Sequence, residues 1–116
     1  MLGFKEQSDL LIWRSSEGYK EPRRWISLFN SISECVTGKS AMVTSWYRHD
    51  NTAHKMGKAV DFRTRDYSDD ELAEILMLCV ANGMPVSSLY RGKPSQHIHC
   101  GDLMTKKFER AIKEDN

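Results

Sequence analysis

Three of the chain's four histidines and one acid fall in two short segments, His54-x-x-Gly57-x-Ala59-x-Asp61 and His97-x-His99, and their types and spacing suit a metal site. Zinc in a hydrolase takes three protein ligands from His and Asp or Glu and leaves a fourth position to water, whose pKa falls to about 7. On an extended strand, side chains two apart share a face. Ala59 with Asp61, and His97 with His99, then point the same way, and two neighbouring strands can present an acid and two imidazoles to one point. His54, seven residues before Asp61, suits a ligand on the incoming loop, with Gly57 supplying the turn. Ala59 keeps the space beside Asp61 open. Taken singly, each segment has a plainer explanation. Two histidines on a wet sheet face need no metal, and a buried Asp61 can simply accept backbone hydrogen bonds. Together the segments select one zinc site.

The elements that must position these residues can be read from periodicity. Pro22 suits the first turn of a helix in which Trp25, Ile26, Leu28, Phe29, Ile32 and Val36 recur at helical spacing until Gly38 ends it. Its apolar stripe should pack on a sheet. Residues 41–46 and 59–63 are β-prone, with the polar segment 48–52 between them as an active-site loop. Ser68 caps a second helix, with Glu71 at the capping-box position and Leu72, Ile75, Leu76, Leu78, Cys79 and Val80 following until Asn82-Gly83. Residues 86–90 and 96–100 read as a hairpin around Arg91 to Pro94. A short helix is expected over 105–113, with Phe108 and Ile112 on one face. Residues 10–13 fit either a strand or a short helical turn. This order predicts an α+β fold, a small antiparallel sheet with helices packed on it and the zinc site on one sheet face.

The motif series Ser45-x-x-Arg48, His54-x-x-Gly57-x-Ala59-x-Asp61 and His97-x-His99 resembles that of the LAS metallopeptidases, which include lysostaphin-type enzymes, D-Ala-D-Ala carboxypeptidases and the hedgehog signalling domain. It is most similar to the branch of D-Ala-D-Ala carboxypeptidases and phage L-alanyl-D-glutamate endopeptidases. The likeness spans residues 40–102, and order and spacing both match. One departure is Thr52, where the branch usually has Ser; the hydroxyl is kept. The resemblance implies the same hedgehog/D-Ala-D-Ala-peptidase-like architecture. It also implies zinc ligands at His54, Asp61 and His99, with His97 as the catalytic histidine, acting as general base or as a donor to the oxyanion. It places Arg48 against a substrate carbonyl or carboxylate, a planar partner suited to guanidinium. Many members carry an acid three residues before the last ligand, where this chain has Gln96, preceded by Ser95, and no acid nearby. That absence shifts the base to His97. His49 is read as a solvated loop residue.

Composition bounds the alternatives. At 116 residues the chain is expected to form one domain, residues 1–116. A formal net charge of +1 gives no global reason to expect nucleic acid or an anionic membrane as partner. Arg63, Arg65, Arg91 and Lys93 flank the site and are read as a solvated face, with an anionic cell-wall polymer as the alternative. Cys35, Cys79 and Cys100 are an odd count, which excludes a complete disulfide framework and points to synthesis in a reducing cytoplasm. Cys100 faces away from His99 on a strand and is read as a small buried hydrophobe. Met42, Met56, Met77, Met84 and Met104 are read as core or loop fillers. No apolar run approaches transmembrane length, and residues 1–6 lack a signal peptide's hydrophobic region. Action on a cell wall would then follow release by lysis or carriage in a virion.

The function expected is that of a monomeric zinc peptidase, carboxypeptidase or endopeptidase, hydrolysing a bond in the peptidoglycan stem peptide, as a phage or prophage lytic enzyme (endolysin). The alternative is a non-catalytic zinc domain of the same fold serving as a binding or assembly module. A third is an intracellular peptidase acting on D-Ala-D-Ala-type dipeptides.

Overall fold

The computed structural model describes residues 1–47, 57–91 and 96–101. In chain order these form β1 (Gly3–Phe4), α1 (Gln7–Arg14), α2 (Lys20–Thr37), β2 (Met42–Ser45), β3 (Ala59–Arg63), α3 (Asp69–Ala81), β4 (Val86–Tyr90) and β5 (His97–Gly101). The strands make one sheet in the order β1-β2-β3-β5-β4. The 105–113 helix expected from the sequence lies outside the described residues.

The fold is α+β as expected, but the sheet is mixed rather than antiparallel. β2, β3, β5 and β4 pair antiparallel, whereas β1 joins β2 in parallel. Two helices, α1 and α2, separate β1 from β2, and a crossover of that kind returns the chain in its starting direction. Gly3 N and Lys5 N donate to the carbonyls of Ala41 and Val43 at 2.9 and 2.8 Å, fixing that edge. Residues 10–13 belong to α1.

The long helix α2 follows its periodicity. Trp25, Ile26, Phe29 and Ile32 are buried on one stripe, and Phe29 stacks on Phe62 of β3 with centroids 4.1 Å apart. Pro22 is its third residue, where an N–H would have no intrahelical partner in any case. In α3 the capping box forms as read: Ser68 Oγ accepts from Glu71 N, and Ser68 N donates to Glu71 Oε1. Leu72, Ile75 and Cys79 turn inward, while Met77 and Val80 face solvent, so Met77 is neither core nor loop filler.

Alternation along the strands then divides the chemistry from the core. Val60 and Phe62 of β3, and Ile98 and Cys100 of β5, belong to the core cluster beneath the helices. Asp61, His97 and His99 therefore occupy the opposite face.

Candidate metal centre

The register between β3 and β5 sets the site. Asp61 is directly opposite His99, and Arg63 opposite His97. His99 Nδ1 lies 2.8 Å from Asp61 Oδ1, and His97 Nε2 lies 3.9 Å from Asp61 Oδ2. One carboxylate thus faces both imidazoles. Asp61 is 4% exposed and His99 2%, so the acid and its nearer histidine are removed from bulk water. A buried carboxylate is costly unless paired or bound to a metal.

Neighbouring strands fix the backbone around the pair. On β2, Ser45 is opposite Asp61 across an irregularity in the ladder, and Thr44 Oγ1 donates to the Asp61 carbonyl at 3.3 Å. On β4, Ser88 is opposite His99 and Tyr90 opposite His97. Ser87 Oγ donates to the His99 carbonyl at 3.2 Å. Tyr90 stacks on His97, with ring centroids 4.6 Å apart and planes 26° apart.

Asp61, His97 and His99 are therefore brought together as the strand parity predicted. Arg48 and His54, together with His49, Thr52 and Lys93, lie outside the described residues. Among the described residues no three His, Cys, Asp or Glu side chains form a complete ligand set. The donor chemistry of the pair nevertheless fits zinc. A carboxylate oxygen and an imidazole nitrogen facing each other at 2.8 Å, both buried, are donor types that zinc takes. Cys100, next to His99 in sequence, is in the core. Burial, with smaller contributions from Cys79 and Asp61, pushes its thiol well above the usual range, which keeps it a neutral thiol rather than a thiolate ligand.

Two of the basic residues near the site, Arg63 and Arg91, are tied into the fold, whereas Arg65 is exposed. Arg63 Nε donates to Asp66 Oδ2 at 2.8 Å. Arg91 reaches Asp69 Oδ1 at 2.9 Å and the carbonyls of Thr64 and Tyr67 at 2.7 and 2.8 Å, clamping the β3–α3 connection. These contacts explain both arginines without an anionic polymer.

The residues that sequence reasoning missed lie around the chain on either side of 48–56. Asp9, wholly buried on α1, accepts from Trp46 N and Tyr47 N, both at 3.0 Å. Its one sequence signal is an acid placed directly before the apolar run Leu10 to Trp13. Trp46 Nε1 donates to the Gly57 carbonyl at 2.9 Å. Gly57 has φ +69°, and a Cβ there would fall 2.0 Å from Tyr47 Cζ, so the position demands glycine for conformation and for space. Gly101, opposite Ala59, is equally tight: a Cβ would meet the Lys58 carbonyl at 2.7 Å. No protein-family model matches the chain, and no curated protein is significantly similar to it.

Proposed function

We propose that the chain is a zinc-dependent peptidase that hydrolyses a bond in the peptidoglycan stem peptide, acting as a monomeric phage or prophage lytic enzyme of the LAS type its motifs resemble. The observation that carries this reading is the buried Asp61–His99 pair at 2.8 Å with His97 on the same face. His54, Asp61 and His99 would hold the metal. The chemistry a bound zinc ion supplies is polarisation of a carbonyl and acidification of a water. Asp61 balances positive charge within the site and His99 adds a neutral nitrogen donor. His97, with a side chain 21% exposed against 3% for His99, is the more accessible imidazole and moves the proton at Nε2. Arg48 orients the substrate through a carbonyl or carboxylate. Among the described residues no helix is long and apolar enough to cross a membrane. In this reading the enzyme reaches the wall after lysis or from a virion.

The deciding experiment incubates the protein with purified peptidoglycan, with zinc and with a chelator, and identifies products by mass spectrometry. Zinc-dependent release of peptides or of new amino termini is expected, and the products name the bond. Stoichiometric zinc with no released product would sink the peptidase reading in favour of a binding or assembly module.

A further inference from the structure

We propose that Tyr90 is a positioning residue for His97, holding the imidazole plane by stacking so that its nitrogen edge stays turned toward Asp61; the inference rests on the peptidase reading above. Torsion about χ2 of a histidine is broad and roughly two-fold, so a strand position alone leaves the ring plane loosely set. Asp61 Oδ2 stands 3.9 Å from His97 Nε2, an electrostatic contact that does not by itself fix the ring plane. Tyr90 is the cross-strand partner of His97. Its ring covers the imidazole at 4.6 Å and 26°, an offset stack that occupies a face and leaves the nitrogens at the edge. On the other side of His97 in the same cross-strand row stands Arg63, whose guanidinium is turned to Asp66 at 2.8 Å. The row therefore offers His97 an aromatic wall on β4 and a charge already engaged on β3. A residue that orients a proton-transfer group acts on the transition state more than on substrate binding, so its loss should lower kcat and spare KM.

The test compares wild type, Tyr90→Phe and Tyr90→Leu as zinc-loaded full chains on soluble stem-peptide fragments cut from purified peptidoglycan by a muramidase. Tyr90→Leu is expected to lower kcat about tenfold with KM within about twofold, and Tyr90→Phe, which keeps the ring, to rescue kcat to within about twofold of wild type. A second readout needs no turnover: in spectra of histidine-labelled protein, the His97 ring protons should be shifted upfield by the Tyr90 ring in wild type and Tyr90→Phe. Unshifted His97 protons in the wild type overturn the inference even if Tyr90→Leu fails to fold. So does a Tyr90→Leu enzyme with wild-type kcat, or a Tyr90→Phe enzyme as slow as Tyr90→Leu. A wild-type protein that releases nothing overturns the peptidase reading, and the catalytic role of Tyr90 falls with it.

Discussion

His99 Nδ1 stands 2.8 Å from Asp61 Oδ1 across the β3–β5 ladder, with both side chains buried. Such a pair gains little stability on its own, because desolvating the carboxylate offsets most of the attraction. A cation shared by the two would change that balance. Zinc should therefore raise the melting temperature and a chelator lower it, with saturation at 100 times Kd adding about 2.7 kcal/mol. A melting temperature indifferent to both would remove the metal from the site.

The two histidines of the HxH pair should separate by role. His99→Ala is expected to abolish stoichiometric zinc binding. His97→Ala should keep zinc and lose about 10²- to 10⁴-fold in hydrolysis. Metal analysis beside peptidoglycan digestion reads both, and full activity in His97→Ala would end the role given to that residue.

The division of roles comes from the motif resemblance, whereas strand parity puts Asp61, His97 and His99 on one face, and that part of the site was legible in the sequence. Asp61 and His99 needed only period-2 alternation and adjacency of their strands, and the expected limits of β3, 59–63, are those observed. The capping box at Ser68 and the stripe of α2 were legible for the same reason: each is a local pattern with one physical solution. The Tyr90–His97 stack was not, since it depends on hairpin register, which shifts between Val86 and Ser88. Neither was β1, a two-residue strand whose parallel pairing is set by the crossover through α1 and α2. Leu10 to Trp13 gave no helical period because four apolar residues in a row fit either element. Asp9 was illegible because its partners are the backbone amides of Trp46 and Tyr47, 37 and 38 residues away.

Asp9 yields a stability prediction. Asp9→Ala leaves the amides of Trp46 and Tyr47 without these acceptors, and hydrogen bonds to a charged group contribute about 1.5–3 kcal/mol each. The variant should lose about 3 kcal/mol or more in urea unfolding, and Asp9→Asn, with one good acceptor atom, should fall between it and wild type. A loss below about 1 kcal/mol would show that α1 does not hold the end of β2.

Gly57 and Tyr47 should be coupled. Gly57→Ala meets a left-handed conformation, costing about 1–2 kcal/mol, and a Cβ that collides with the Tyr47 ring. Truncating the ring relieves the collision but not the backbone strain. In a double-mutant cycle with Tyr47→Ala, the cost of Gly57→Ala should shrink by about 1 kcal/mol or more, and strict additivity would exclude the contact.

Cys79 and Cys100 are buried whereas Cys35 is exposed, and burial pushes the Cys79 thiol from 9.0 up to about 12. The folded state therefore holds its proton where the unfolded chain releases it. This contribution to stability is fully present below about pH 9, the unfolded value, and is lost progressively as pH rises toward 12. Urea midpoints should consequently fall between pH 8.5 and 10.5, and less steeply in Cys79→Ala once its lower starting stability is subtracted. At pH 8 a thiol reagent should label Cys35 alone in the native protein and all three cysteines in denaturant. Labelling of Cys79 at the rate of Cys35 would mean that the α3 face of the core opens far more readily than its packing implies.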